Sequence, residues 1–115
     1  MSGVVKNANP SFLNGVPELL ILQLLAQQER YGYDLIKAIQ ARTQAQLSFG
    51  EGCIYPHLHH LEEAKLLASS RRRVEGRDRV YYRLTARGRK RLAALARDWD
   101  RVATGVSLVL GGQHA

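Results

Sequence analysis

The spacing of apolar residues predicts three helices in the first half of the chain. Residues 16–28 are apolar on nearly every side, which is typical of a buried helix, and Pro17 suits its first turn. Residues 32–43 carry one apolar stripe with polar residues outside it. Residues 51–65 carry a narrower stripe, formed by Ile54, Leu58 and Leu61.

Pro56 lies within the third predicted helix and leaves the start of that helix open. A proline costs about 3 kcal/mol in a helix interior but forfeits little near the start. The helix therefore begins either near Gly52–Cys53, or near Gly50–Glu51 with a local distortion at Pro56. The sequence does not choose between the two.

After the third helix the pattern changes to alternation. Residues 67–74 and 79–84 are predicted as two strands of a hairpin, joined by the turn Glu75-Gly76-Arg77-Asp78. In the second strand, the even-numbered residues 80–84 are apolar or aromatic, and the odd-numbered residues 79–83 are mostly basic. One face of the hairpin should therefore pack on the core while the other is basic and solvated.

A last helix is predicted from Thr85, a favourable N-cap residue, to about Leu110. It carries apolar residues at alternating spacings of three and four, which is the seam of a helix that pairs with another helix. The seam consists of Leu92, Leu95, Trp99, Val102, Val106 and Val109. The order α-α-α-β-β-α, mainly helical with a small β-hairpin, predicts a winged helix-turn-helix in a dimer.

Charge changes this picture by pointing to a partner. The chain of 115 residues is long enough for one domain and has a formal net charge of +7. Residues 71–91 hold ten basic side chains and only Glu75 and Asp78 as acidic ones. A basic block within a folded domain indicates a nucleic-acid footprint more often than a merely solvated face.

Other classes of protein receive little support. We find no nucleophile–base–acid set and no glycine-rich phosphate loop, so the sequence predicts neither an enzyme nor a cofactor. His57, His59 and His60 offer two metal ligands at helical spacing, but no cysteine or acidic cluster completes a set. No apolar run is long enough for a membrane span, and the lone Cys53 suits a reducing cytosol, so we expect a cytoplasmic protein.

Three motifs in order carry a resemblance to a known family. They are Tyr31-Gly32-Tyr33-Asp34, Gly52-Cys53-Ile54-Tyr55-Pro56-His57-Leu58-His59-His60-Leu61-Glu62, and Tyr81-Tyr82-Arg83-Leu84-Thr85-Ala86-Arg87-Gly88. With them, residues 16–110 resemble the PadR family of bacterial regulators in its short form. Cys53 departs from the pattern, because the family usually has threonine there.

The resemblance implies a homodimeric transcriptional repressor that binds a pseudo-palindromic operator in double-stranded DNA and is released by a small-molecule effector. It implies that the last helix packs against the partner's first and last helices. We expect a flexible arm over residues 1–14, a DNA-binding domain over 15–85, a dimerisation helix over 86–110 and a flexible tail over 111–115.

The residues expected at DNA lie on the third helix and the hairpin, which is the wing of such a fold. They are Cys53, Tyr55, His57, His59, His60, Arg71, Arg72, Arg73, Arg77, Arg79 and Arg83. The alternatives are that Tyr55 is half-buried and braces the wing, and that the histidines and arginines only form a solvated surface. Near a helix N-terminus, the Cys53 thiol could also have a lowered pKa and act in redox sensing.

The residues expected at the dimer interface come from the first and last helices. They are Leu19, Leu22, Leu92, Leu95, Trp99, Val102, Val106 and Val109. Trp99 is either dimer core or a flat wall for a planar apolar or phenolic effector, since multidrug-responsive members of the family carry a tryptophan at the matching place. The alternative function is a winged helix that binds protein without specific DNA binding, which an uncharged or acidic wing would favour.

Overall fold

The computed structural model describes residues 15–111, so the predicted N-terminal arm and residues 112–115 of the predicted tail lie outside the described residues. The elements are α1 Val16–Gln27, β1 Arg30–Tyr31, α2 Gly32–Arg42, α3 Glu51–Glu63, β2 Leu67–Val74, β3 Arg77–Leu84 and α4 Ala86–Leu110. The predicted winged helix-turn-helix is confirmed, with one short strand added. No helix within the described range is long and apolar enough to cross a membrane.

Helix α1 lies at the centre of the core, as predicted from the apolar residues on nearly every side of it. Ile21 and Leu22 have no exposed surface, and Pro17 is in the first turn, where its missing N–H is not needed. The assignment of Leu22 to the dimer interface is therefore wrong, because its side chain is wholly enclosed by the chain's own core. Leu19 keeps part of its surface and remains available to a partner.

Helix α3 begins at Glu51, with Gly50 as its N-cap, and continues through Pro56. Of the two starts that the sequence allowed, the helix therefore has the earlier one, near Gly50–Glu51. Ile54, Leu58 and Leu61 are buried as predicted and hold the helix on the core. Pro56 itself is exposed, so its ring points away from the packed stripe.

Three antiparallel strands form the sheet, in the order β1-β3-β2. The sequence did not predict β1, because a strand of two residues is too short to show alternation. In β1, Arg30 pairs with Tyr82 and Tyr31 pairs with Tyr81 of β3. The hairpin β2–β3 forms the wing, and Leu67 pairs with Leu84 at its base.

The wing turn is tighter than predicted. Val74 pairs with Arg77, so only Glu75 and Gly76 remain in the loop and β3 starts two residues earlier than expected. Both loop residues have positive φ, 53° and 78°, as in the two-residue turns whose twist matches that of the flanking strands.

The start of α4 is fixed to the sheet by Thr85 and Gly88. The Thr85 hydroxyl accepts a hydrogen bond from the Gly88 N–H at 3.0 Å and caps the helix as predicted, and it lies 2.8 Å from the carbonyl oxygen of Lys65. A Cβ at position 88 would come within 2.2 Å of the Leu66 carbonyl oxygen, so only glycine allows this approach. The Leu84-Thr85-x-x-Gly88 motif therefore joins α4 directly to the wing.

Candidate nucleic-acid interface

The surface of α3 outside the buried stripe carries four of the residues expected at DNA. His59 and His60 are exposed, while Tyr55 and His57 are half-buried. Because Ile54, Leu58 and Leu61 hold the opposite side, this surface is free to approach a partner. Within residues 15–111, no group of three or more His, Cys, Asp or Glu side chains could hold a metal ion.

Tyr55 projects from α3 towards the start of α2. Its ring fills the space above Gly32, where an added Cβ would lie 2.4 Å from Cε1 and 2.7 Å from the hydroxyl oxygen. Burial raises the pKa of the Tyr55 hydroxyl, with smaller effects from Glu51 and Tyr31, so it stays a protonated donor at neutral pH. The contact explains the Tyr-Gly pair of the first motif, whose role sequence reasoning did not assign.

Cys53 lies on a part of α3 that contacts the core. Its half-buried side chain packs against the core, and burial raises the pKa of the thiol. The lowered pKa that redox sensing would need is therefore contradicted, because desolvation disfavours the thiolate.

The arginines of the wing lie on both faces of the hairpin. Cross-strand pairing puts Arg72 directly opposite Arg79, and Arg71 opposite Val80. Since side chains alternate along a strand, the face opposite the core carries Arg72, Arg77, Arg79 and Arg83. Arg71 and Arg73 lie on the other face, towards the wing tip.

Ion pairs engage only some of these arginines. Arg72 bonds to Glu29, which precedes β1, and Arg73 lies 3.1 Å from Asp78 on the neighbouring strand. Across the part of the chain that the structure describes, the remaining wing arginines have no carboxylate within salt-bridge distance; they are Arg71, Arg77, Arg79 and Arg83.

Aromatic rings order two of the arginines. The guanidinium of Arg72 lies 4.7 Å from the Tyr81 ring centre, and that of Arg79 lies 4.3 Å from the Tyr31 ring centre. Tyr31 and Tyr81 meet edge to face at 5.4 Å. The cluster of Arg72, Tyr81, Tyr31 and Arg79 places two like charges on adjacent strands, and each guanidinium lies against a ring.

A cleft of about 290 Å³ separates α3 from the wing. Tyr55 and His59 line it from the helix, and Tyr31 lines it from β1. Because β1 pairs only with Tyr81 and Tyr82, the edge of β3 at Asp78 and Arg79 is left unpaired, and residues of both faces line the cleft there. Sequence reasoning missed Glu29, Tyr31 and Gly32 as parts of this surface, because β1 and its contacts arise only in the folded chain.

Helix α4 extends the basic surface at its start and exposes an apolar one towards its end. Arg87, Arg89 and Lys90 are exposed, whereas Arg91 is held by Glu18 of α1 at 2.9 Å. This hydrogen bond raises the pKa of Arg91. Leu92 and Leu95 of the predicted seam pack partly on the core, but the rest of the seam is largely exposed; these residues are Trp99, Val102, Val106 and Val109.

Trp99 also lines an open cleft of about 230 Å³ between α1 and α4. Val16 and Leu19 line it from α1, and Leu95 and Val102 from α4. Asp98 is the charged member of the lining. Trp99 is 47% exposed in the single chain, so its ring is accessible from this cleft and from the seam.

Comparison with known proteins identifies the same family from two directions. Residues 21–94 match the model of the family described as "Transcriptional regulator PadR-like family". A PadR-like transcriptional regulator from Bacillus cereus has a solved structure that superposes with a TM-score of 0.77 and 31% identity, over 90% of this chain and 100% of that one.

Two further proteins are similar in sequence. A protein of Lysinibacillus sphaericus named only as uncharacterized is 29% identical over 87% of this chain and 93% of its own length. The transcriptional regulator Rv3488 of Mycobacterium tuberculosis is 47% identical over 62 residues, which is 54% of this chain and 55% of that protein.

Proposed function

Since the chain belongs to the PadR-like family of transcriptional regulators, we propose that it is a homodimeric repressor that binds a pseudo-palindromic operator in double-stranded DNA. Regulators of this family are not enzymes in general, and the proposal assigns no catalytic step to the chain. Residues 15–85 form the DNA-binding unit and residues 86–110 the dimerisation helix.

One observation carries the proposal: the unburied side of α3 lies beside a wing rich in unpaired arginines. A helix of this size fits the major groove, and its exposed His59 and His60 are placed to reach base edges or phosphates. Arg71 and Arg77, which have no carboxylate partner among residues 15–111, serve as phosphate contacts.

The apolar end of α4 supports the homodimer. Val102, Val106 and Val109 are 47%, 52% and 87% exposed, in line on one helix. A contiguous apolar stripe of this kind on a single chain marks an interface. A two-fold dimer then presents two reading helices to two half-sites, which accounts for the palindrome.

The cleft at Trp99 supports an effector site. Its lining is apolar apart from Asp98, and a partner's Trp99 would add a second flat ring. A planar apolar or phenolic molecule between the rings releases the operator by favouring a different spacing of the two reading helices.

The test starts from DNA selected out of a random pool by the purified protein. The selected duplex is then titrated over a salt series. If about five basic groups per bound unit neutralise phosphates, the logarithm of the binding constant falls with log salt at a slope of about −4 to −5. Arg71→Ala and Arg77→Ala should each weaken binding and flatten the slope by about one unit per protomer.

Arg42→Ala is the matched control. It also removes one exposed positive charge, but from the last turn of α2, where Arg42 bonds to Gln27 at 3.0 Å. Binding by this variant should equal that of the unmodified protein. Failure of every selected sequence to bind better than bulk duplex would overturn the proposal and favour a winged helix that binds protein.

A further inference from the structure

The cleft between α3 and the wing is large enough to hold a small group and lies where a DNA strand would pass. Its volume of about 290 Å³ is roughly ten times the share of one water molecule in the liquid. In B-DNA, neighbouring major and minor grooves are separated by one sugar–phosphate strand. A protein with α3 in the major groove and its wing at the next minor groove must straddle that strand.

We propose that this cleft holds one phosphate of the strand between the two grooves, and that Tyr31 positions Arg79 to bind it. The inference rests on the proposed function, since it requires DNA on α3. It goes beyond that function by assigning a role to Tyr31, which belongs neither to the reading helix nor to the wing.

The charges in the cleft favour a phosphate. Arg79 has no carboxylate within salt-bridge distance among residues 15–111, so its guanidinium is open to a new anion. The acidic side chain of the lining, Asp78, is engaged by Arg73 at 3.1 Å. Tyr55 and His59 add hydrogen-bonding groups on the opposite wall.

The neighbouring arginine is not equivalent. Arg72 stands directly opposite Arg79 in the hairpin, but Glu29 already occupies its guanidinium. Of this cross-strand pair, Arg79 is therefore the member available to the strand.

Tyr31 fixes where the Arg79 charge is held. Its ring centre lies 4.3 Å from the guanidinium carbon, and the ring is itself held edge to face against Tyr81 at 5.4 Å. Backbone pairing of Tyr31 with Tyr81 anchors β1 to the wing at this point. A side chain ordered before binding loses less conformational freedom when it bonds to a phosphate.

The test uses the full chain and a selected duplex in which single phosphates are replaced, one at a time, by uncharged methylphosphonates. Unmodified protein should lose at least about fivefold in affinity at one position per half-site, between the two grooves. In Arg79→Ala that position should become insensitive, while the other sensitive positions stay so. Arg42→Ala, which removes an exposed charge from the last turn of α2, should keep the sensitivity.

Tyr31 is tested through its ring. Tyr31→Phe keeps the aromatic face and should retain both affinity and the sensitive position, because the hydroxyl is not what holds Arg79. Tyr31→Leu removes the face and should lower affinity about three- to tenfold, as expected for loss of a cation–π contact. In this variant, methylphosphonates at several neighbouring positions should each cause a small loss of affinity, in place of one large loss at a single position. Tyr33→Leu, an exposed tyrosine two residues away, is the control and should change neither.

Three outcomes separate this inference from the proposed function. If the unmodified protein selects no duplex, the proposed function fails. If it binds a duplex but no phosphate between the grooves is sensitive, or if Arg79→Ala leaves the sensitivity intact, the cleft does not hold the strand. If Tyr31→Leu shows normal affinity and an unchanged methylphosphonate pattern while melting normally, Tyr31 does not position Arg79.

Discussion

The ring of Tyr55 lies against Gly32 so closely that a β-carbon at position 32 would come within 2.4 Å of it. The contact joins α3 to the first residue of α2 and sets how far the tyrosine hydroxyl reaches towards the cleft. A glycine at the start of one helix thus controls a side chain on another.

Gly32→Ala should weaken DNA binding and lower the stability of the fold only modestly. The new methyl group displaces the Tyr55 ring, which can rotate away because it is the end of a side chain. The Tyr55 hydroxyl then loses its proposed hydrogen bond to a phosphate. A hydrogen bond worth about 1 kcal/mol corresponds to about fivefold in affinity per protomer. The unfolding free energy should fall by less than about 1.5 kcal/mol, the order of a displaced rotamer. Titration of the selected duplex, together with thermal melting, measures both; a large drop in melting temperature with unchanged affinity would contradict this account.

Gly88→Ala should do the opposite and damage the fold. Here the added β-carbon would lie 2.2 Å from the Leu66 carbonyl oxygen, and a backbone atom cannot rotate away. Overpacking of this kind costs about 1–3 kcal/mol of unfolding free energy. Chemical denaturation monitored by circular dichroism measures it. Gly52→Ala, also at a helical glycine but with open space around it, should leave stability equal or slightly higher; equal stabilities for the two variants would disprove the close packing at Gly88.

Glu29→Gln should tighten DNA binding. The Glu29 carboxylate occupies the guanidinium of Arg72 and keeps it from the DNA backbone, and the substitution makes that charge available to a phosphate. An exposed pair of this type is worth up to about 1 kcal/mol, so the gain should reach at most about fivefold per protomer. Fluorescence anisotropy with the selected duplex measures it. In an Arg72→Ala background, Glu29→Gln should have no effect, and a gain that persists there would show that Glu29 acts by general charge instead.

Val106→Glu should dissociate the proposed dimer. Val106 lies on the exposed seam of α4, 52% accessible in the single chain, and a partner helix would bury the introduced charge. Analytical ultracentrifugation should show monomers at concentrations where the unmodified protein is dimeric. Thr104→Glu changes an exposed residue of the same helix outside the seam and should leave the dimer intact. Dimers of equal stability in both variants would place the interface elsewhere.

Cys53 should react slowly with thiol reagents in the folded protein. Burial raises its pKa, so less thiolate is present at neutral pH than for a free cysteine. The rate should increase with pH and level off only above the raised pKa, at a higher pH than for a free cysteine. Unfolding in denaturant should restore the rate of a model thiol. Reaction with a chromogenic disulfide measures both rates. Equal rates in the folded and unfolded protein would show that the Cys53 thiol is accessible and would again allow a role in redox sensing.

Much of the fold follows from local patterns. Thr85 predicts the start of α4 because its side chain can cap a helix, and the alternation along residues 67–74 predicts β2 to the residue. The sequence could not place β1, whose Arg30 and Tyr31 become a strand only by pairing with β3. Nor could it show that Leu22 is enclosed, since every side of α1 is apolar.

The candidate site was predictable by residue type but not by arrangement. An arginine-rich hairpin indicates a nucleic-acid surface, yet only the folded chain brings Glu29 to Arg72 and Tyr31 to Arg79. These contacts join residues 43 positions apart in one case, beyond any local rule. Sequence therefore identifies the surface, while tertiary structure decides which of its charges are free.

The contacts of Thr85 and Gly88 with the residues that precede β2 attach α4 at the base of the wing, and so join the part that would read DNA to the part that would pair with another copy. Helix α4 has 25 residues and so is about 37 Å long. A tilt of about 5° between two such helices displaces their far ends by about 3 Å, close to the rise of one base pair. Substitutions along the distal seam could therefore retune the distance between half-sites without altering any residue that touches a base.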